Sequence, residues 1–177
     1  MPFTPFHMGP GILVKAALRG AFSLIIFGGT QVLMDVQPLV VILTRQGHMH
    51  GITHTYLGAT IIAAVAAVAG KRIIDLGMRL IEYAPRLRIS WVVAISSALI
   101  GGWSHVLLDS VMHADVRPFY PFSASNGLHG AIFSSALHGL CFWTGAVGAG
   151  GWLLGTLYLA WRQSRRLGDA VAAEKNP

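Results

Sequence analysis

Charged side chains are scarce in this sequence. Only 11% of its 177 residues are Asp, Glu, Lys or Arg, whereas soluble domains carry about 25%. The chain therefore has less than half the charge that a water-facing surface needs, and it is 54% hydrophobic. Cysteine is nearly absent as well, because Cys141 is the only one. A disulfide framework and a cysteine-based metal cluster are thus excluded, and the composition also excludes disorder, coiled coil and collagen.

Long apolar stretches take the place of the missing charge. About 20 helical residues cross a hydrocarbon core of about 30 Å, and four stretches approach that length: residues 21–43 (interrupted by Asp35 and Pro38), 55–70, 89–112 and 131–161. Their apolar residues surround the helix instead of lining one face. We predict an all-α, polytopic membrane protein with about four spans, a short N-terminal helix and an interfacial amphipathic helix.

The predicted spans form one membrane-embedded domain over residues 1–177. Its parts are the N-terminal motif and short helix (1–20), the first two spans (21–70), an amphipathic segment (71–88), the last two spans (89–161) and a basic tail (162–177). Residues 12–18 form the short helix, which ends at Gly20. Two arrangements remain open. A hairpin would return Asp35 toward His7, and one continuous helix would place these two residues on opposite membrane faces.

Basic residues orient the chain. The 13 Lys and Arg residues outnumber the 7 Asp and Glu residues, which gives a net charge of +6. Most of them flank spans, at Lys71 to Arg88 and Arg162 to Arg166. By the positive-inside rule these flanks and the C-terminus are cytoplasmic, and residues 44–54 and 113–129 lie on the other side. Nucleic acid is not an expected partner, because no basic, aromatic-interleaved patch exists outside the flanks.

Eight histidines stand out against so little charge. His105 and Asp109 are four residues apart, so they share one helix face and could reach the same metal ion. His113 continues that side of the helix and could orient or deprotonate a water molecule, as could Asp109 or Asp35. The alternative is a buried hydrogen bond that only stabilises the helix. An ionisable group in a span is nevertheless a functional candidate by default.

A second histidine group precedes the second span. His50 and His54 repeat the spacing of four residues, and His48 lies just before them. Taken alone, these are as well explained as surface histidines. Both groups are predicted on one membrane face, however, and together they favour a metal site. Nitrogen and oxygen donors without thiolates suit zinc, manganese or iron, with zinc as the default.

The loop after the third span is rigid and aromatic. Arg117 lies within it and could hold a phosphate or carboxylate group through two hydrogen bonds. The alternative is an aromatic belt at the membrane interface with one snorkelling arginine. Farther along, His129 is a candidate for supporting a metal ligand, and His138 is expected to hydrogen-bond to a neighbouring helix.

Four motifs in order carry a family resemblance. They are MPFTPFH at the start, Asp35 followed by Pro38, HGITHTYLGA at 50–59 and SHVLLDSVMHADVRPFYPFS at 104–123. Together they resemble the membrane-bound metal-dependent hydrolases, the inner-membrane-associated hydrolases of bacteria that are grouped with zinc-dependent phospholipase C. The resemblance implies metal ligation by five residues: His7, Asp35, His54, His105 and Asp109. It also implies one further ligand, His50 or His48, because Met49 occupies the family's usual histidine position.

The sequence departs from the phospholipase relatives at one point. Those relatives use a later His-xxx-Glu pair, whereas the only glutamates here are Glu82 and Glu174, both predicted to be cytoplasmic. One or two metals are therefore expected instead of three. The leading hypothesis is a metal-dependent hydrolase that cleaves a phosphoester of a membrane lipid or lipid-like molecule, with Arg117 stabilising phosphoryl charge.

Two other functions remain open. A non-catalytic membrane subunit could use a structural metal or His/Asp cluster to brace a larger complex, and its partner would be another membrane protein or a second copy of the chain. A proton or metal transporter would need a polar path across the bilayer, and the second span offers none.

Overall fold

In a computed structural model, the described residues, 5–80 and 89–175, contain helices and loops and no strand. The helices are α1 (Met8–Leu18), α2 (Leu24–Met34), α3 (Val36–Thr44), α4 (Tyr56–Leu80), α5 (Trp91–Met112) and α6 (Ser134–Lys175). Four segments are long and apolar enough to span a membrane: Leu24–Thr44, Tyr56–Leu80, Trp91–Met112 and Ser134–Gly168. The predicted all-α fold with four candidate spans is confirmed.

The first two helices form a hairpin. Gly11 of α1 lies against the ring of Phe27 in α2, so the two helices run antiparallel. At the turn, the Lys15 ammonium donates hydrogen bonds of 2.7 and 2.8 Å to the carbonyls of Arg19 and Phe22. Arg19 is the C-cap residue of α1 and Phe22 lies in the turn before α2, so these bonds link the end of α1 to the start of α2. Of the two arrangements that the sequence left open, the structure has the hairpin.

A break at Asp35 separates α2 from α3 within one candidate span. Pro38 has no N–H to offer the carbonyl of Met34, so one helical hydrogen bond is missing here. The ladder resumes at once, because Leu39 N–H donates to the Asp35 carbonyl at 3.0 Å. Asp35 therefore lies at a kink in the middle of an apolar segment.

Small residues let α2, α4 and α5 pack closely. A buried core of alanines joins α4 to α5, formed by Ala63, Ala66, Ala67, Ala94 and Ala98. Gly101 of α5 lies against Phe27 and Thr30 of α2. The Ser97 hydroxyl accepts a 2.8 Å hydrogen bond from the backbone N–H of Ser23. α2 therefore runs parallel to α5, while α4 runs antiparallel to it.

Helix α6 packs mainly on α1, along glycines that allow backbones to touch. Gly9 lies against the Cys141 carbonyl and Gly148 against Leu13, with no room for a Cβ atom at either glycine. The two helices run parallel. Only 11% of the α6 apolar window is buried, compared with 44% for α5. Most of α6 therefore faces outward.

The amphipathic segment differs from expectation. Residues 71–80 continue α4 without a break at Gly70, so in this part they are not a separate surface helix. The physical reason is that Lys71 finds partners inside: its ammonium donates 2.7 Å hydrogen bonds to the Asp75 carboxylate and the Ile89 carbonyl. Residues 81–88, the rest of this segment, lie outside the described residues.

Candidate metal centre

Five side chains from four segments of the sequence meet at one end of the bundle. His7 precedes α1, Asp35 lies at the kink, His54 ends the turn before α4, and His105 and Asp109 lie near the end of α5. We call these five residues the inner cluster. All five are buried, and His54 and His105 have exposed fractions of 0% and 1%.

Asp109 is the centre of the inner cluster. Its Oδ2 atom lies 3.2 Å from Nε2 of His54 and 3.2 Å from Nε2 of His105. Its Oδ1 atom lies 3.6 Å from Nε2 of His7. His105 Nε2 is also 3.4 Å from an oxygen of Asp35. Ring nitrogens from three separate segments of the chain therefore converge on one carboxylate.

These close approaches are not hydrogen bonds. The Nε2 atoms of His7, His54 and His105 are all buried and have no hydrogen-bond partner. A buried polar atom without a partner is rare in folded proteins and costs about 1–3 kcal/mol. Donor atoms about 2 Å from one tetrahedral ion are about 3.3 Å apart, which matches the observed spacing. The residues present thus fit a divalent metal ion, and a nitrogen and oxygen donor set suits zinc.

Burial also favours the imidazole form that binds metals. It lowers the pKa of His7 to about 4, although the nearby Asp109 carboxylate opposes that shift. Burial lowers the pKa of His54 too, against the opposing effect of the same carboxylate. Both rings are therefore neutral at neutral pH, and neutral imidazole is the ligand form of histidine.

A second group, the outer trio of His50, His113 and Asp115, lies beside the inner cluster. Nδ1 of His50 is 2.9 Å from both carboxylate oxygens of Asp115. The His50 and His113 rings are stacked, with centroids 4.3 Å apart. Burial would raise the pKa of Asp115, but the hydrogen bond with His50 lowers it overall. Unlike the inner nitrogens, this contact is a hydrogen bond.

A cavity of about 490 Å³ opens next to the outer trio. Its lining residues are His48, His50, Gly51, Ile52, Thr55, Ala114, Asp115, Arg117, Tyr120 and Ala124. The loop that carries Arg117 is tied to the bundle, because the Pro118 carbonyl accepts a 2.8 Å hydrogen bond from Tyr56 N–H. The Asn126 amide also donates to the carbonyls of Ser110 and His113. This anchored loop places Arg117 in the same cavity lining as His48, His50 and Asp115.

The structure brings most of the sequence-predicted residues together. All six predicted ligands, His7, Asp35, His50, His54, His105 and Asp109, belong to groups whose donor atoms lie within 4.8 Å of one another. His50 takes part in these groups and His48 does not, whereas His48 lines the cavity. Of the predicted catalytic residues, Asp109 is central, His113 stacks on His50 and Arg117 lines the cavity. The metal-binding and catalytic roles of these residues stay predictions.

Some residues fall elsewhere. His129 is exposed, and the His138 ring packs edge-on against Phe6 with centroids 5.0 Å apart. Among the described residues, neither belongs to a candidate metal group. Asp115 was missed as a site residue. The signal that could have identified it is its position two residues after His113, in the loop that follows the third span.

Comparison with known proteins agrees with the membrane fold. A family model described as YdjM inner membrane protein matches residues 12–168, which is most of the chain. No curated protein and no solved structure matches it. The matched range includes all four candidate spans. The chain therefore belongs to the YdjM inner membrane protein family.

Proposed function

We propose that the chain is a membrane-embedded, metal-dependent hydrolase that cleaves a phosphoester of a lipid or lipid-like molecule. The observation that carries the proposal is the convergence of unpartnered Nε2 atoms on the Asp109 carboxylate, beside a cavity that contains Arg117. The resemblance of the His and Asp motifs to membrane-bound hydrolases supports the reaction class. Membership of an inner membrane family supports the location.

The inner cluster holds the metal in this proposal. His7, His54 and His105 supply nitrogen donors, and Asp35 and Asp109 supply oxygen donors. Lewis-acid activation of water and of a phosphoryl oxygen is the chemistry that a divalent cation, zinc by default, supplies when bound.

Residues along the cavity bind the substrate and move protons. Arg117 lines the cavity, and its guanidinium suits a phosphate group, which it can hold through two hydrogen bonds. His50, oriented by Asp115, accepts the proton that water loses as its oxygen bonds to phosphorus. The bond between phosphorus and the leaving oxygen breaks, and that oxygen takes up the proton that His50 accepted from water. His113 stacks on His50 and keeps its ring in place.

Membrane lipids are the partners that the surroundings favour. Large aromatic side chains near the cavity end of the bundle are exposed, namely Phe119, Phe122 and Phe133. Aromatic residues of this kind are enriched where proteins meet the lipid headgroups. A headgroup in the cavity would thus leave its acyl or isoprenoid chain against the apolar outer surface.

Metal analysis of the purified protein tests the proposal. We expect zinc in the parent protein, loss of zinc in His105→Ala, and retention in the matched control His129→Ala, whose histidine lies outside the cluster. Vesicles of two lipids then distinguish the reaction. Phosphatidic acid is a phosphomonoester and phosphatidylglycerol is a phosphodiester, and the phosphate-containing product shows which bond is cleaved. A parent protein that binds no divalent metal would refute the proposal.

The cluster is proposed to face away from the cytoplasm. The support is the distribution of charge, because Lys71 and Arg79 lie toward the far end of α4 from His54, and basic residues mark cytoplasmic ends. Cysteine introduced at Ser125 in a Cys141→Ser background should react with an impermeant reagent on intact cells. Cysteine at Arg86 should react only after permeabilisation, and the reverse pattern would invert the topology.

A second candidate is a non-catalytic subunit whose metal braces a larger complex. The exposed surface of α6, with 11% of its apolar window buried, favours a protein partner. A structural zinc has four protein ligands, whereas a catalytic zinc keeps a position for water. X-ray absorption at the zinc edge distinguishes the two coordination spheres.

A further inference from the structure

Two glutamines flank the kink at Asp35, and neither belongs to the inner cluster or lines the cavity. Gln31 is buried in α2 and Gln37 lies in α3. Each is linked by hydrogen bonds to one histidine of the inner cluster. These bonds determine which ring nitrogen carries the proton, and so which nitrogen is free to bind a metal.

The orientation of the Gln37 amide follows from its partners. The backbone N–H of Thr53 can only donate, and it points at Oε1 of Gln37 from 3.2 Å. The Nε2 atom of Gln37 then donates to the His48 carbonyl at 3.3 Å. Since both partners agree, the amide has one orientation, with its oxygen toward Thr53.

This orientation sets the tautomer of His54. The Thr53 hydroxyl lies 2.6 Å from the same Gln37 oxygen and must donate its single hydrogen to it. Toward Nδ1 of His54, 2.9 Å away, the hydroxyl oxygen can therefore only accept. Nδ1 of His54 carries the hydrogen, and in the neutral ring Nε2 has a free lone pair that faces Asp109.

The tautomer of His105 can be assigned in the same way, from Gln31 on the other side of the kink. The Ser104 hydroxyl donates to the Gly101 carbonyl at 3.1 Å, so it accepts from Nε2 of Gln31 at 3.5 Å. The amide oxygen of Gln31 then faces Nδ1 of His105 at 2.8 Å. Nδ1 of His105 is the donor, and its Nε2 atom also faces Asp109.

We propose that Gln31 and the Gln37–Thr53 pair are positioning residues that hold His105 and His54 as Nδ1–H tautomers and aim both Nε2 lone pairs at one cation beside Asp109. Two lone pairs facing a carboxylate oxygen at 3.2 Å would repel it unless a cation lay between them. The role of these residues rests on the metal centre of the proposed function, whereas the tautomers themselves do not depend on it.

Gly51 supports this arrangement. A Cβ atom at Gly51 would collide with the end of the Gln37 side chain. The glycine therefore makes room for the amide that orients Thr53. Because Gln37 is flexible, alanine at this position would displace the amide and leave the backbone in place.

Nitrogen NMR of histidine-labelled, metal-free protein tests the tautomers directly. At a pH high enough to leave both rings neutral, we expect protonated Nδ1 and unprotonated Nε2 for His54 and His105 in the parent. Thr53→Val, which replaces the hydroxyl by a methyl group, should change the His54 pattern and leave His105 as it was. Thr53→Ser should restore the parent pattern, and Thr44→Val, the same change on an exposed part of α3, should have no effect. A neutral ring of the parent that carries its proton on Nε2, or an unchanged His54 in Thr53→Val, would overturn the proposal.

Zinc affinity, measured by competition with a chelator, tests the consequence. Loss of an outer partner of a ligating histidine weakens binding by about 10–100-fold. We expect a weakening of this size for Thr53→Val, Gln31→Met and Gly51→Ala, and parent-like affinity for Thr53→Ser and Thr44→Val. Unchanged affinity in Thr53→Val would refute the positioning role alone. Absence of zinc binding in the parent would instead refute the proposed function, and the NMR result would still decide the tautomers.

Discussion

The inner cluster and the outer trio are built from the same residue types, but they differ in how the imidazole nitrogens next to the carboxylates are hydrogen-bonded. In the inner cluster, Asp109 is 4% exposed and the nearby ring nitrogens have no hydrogen bond. In the outer trio, the Asp115 side chain is 56% exposed and its carboxylate is paired with His50 at 2.9 Å. The contrast shows that a short distance between imidazole and carboxylate can reflect either a hydrogen bond or two donor groups placed to bind one cation.

Hydrogen bonding separates those two cases. A paired ring needs no ion, because the hydrogen bond between nitrogen and oxygen already satisfies both polar groups. An unpaired, buried ring at the same distance needs a cation to offset the cost of burial. The inner cluster is thus the stronger candidate for the metal, and the outer trio is the stronger candidate for proton transfer.

The largest expected difference between the two groups is in metal binding. Asp109→Asn keeps the side-chain volume but removes the charge that three ring nitrogens face, so zinc affinity should fall by more than about 100-fold. Asp115→Asn, the matched change in the outer trio, should leave zinc content unchanged. Elemental analysis after purification and thermal unfolding with and without chelator measure both. Equal loss of zinc in the two variants would remove the distinction between the groups.

Turnover should show a smaller effect, and it should depend on the outer trio even where zinc content does not. In Asp115→Asn, His50 loses the carboxylate that orients its ring, and we expect kcat to fall by about tenfold at full zinc content. Phosphate release from phosphatidic acid vesicles is the measurement if the substrate is a monoester, and phosphatidylglycerol serves for a diester. Turnover equal to that of the parent, on a substrate that the parent cleaves, would leave the outer trio without a role in catalysis.

The smallest effect is expected at the cavity wall. Arg117→Lys keeps the positive charge but loses the planar group that can hold two phosphate oxygens. We expect KM to rise by about tenfold or less, which corresponds to at most about 1.4 kcal/mol of binding free energy, with kcat and zinc content near the parent values. A change in kcat with unaltered KM would instead give Arg117 a role in the transition state alone.

Much of the fold could be predicted from the sequence, because hydropathy and helical spacing are local properties. The four spans follow from runs of apolar residues, and the pairing of His105 with Asp109 on one face follows from their spacing of four. Pro38 likewise marks the kink near Asp35. The packing of α1 against α2 could not be decided, since both the hairpin and the continuous helix satisfy the same local pattern.

The supporting residues of the site were beyond sequence reasoning for another reason. Gln31, Gln37 and Thr53 carry no charge and have no distinctive spacing, so in the sequence they resemble any polar residue near a span. Their importance depends on which atom of each amide faces which donor, and only the three-dimensional arrangement shows that. The extension of α4 past Gly70 was hidden similarly, because it depends on the partners that Lys71 finds in the fold.

The hairpin of α1 and α2 links the inner cluster to the packing of α6. His7 lies at the start of α1, and farther along the same helix Gly9 lies against the Cys141 carbonyl of α6. A chain shortened to begin at α2 would therefore lose one histidine of the inner cluster together with the helix on which α6 mainly packs.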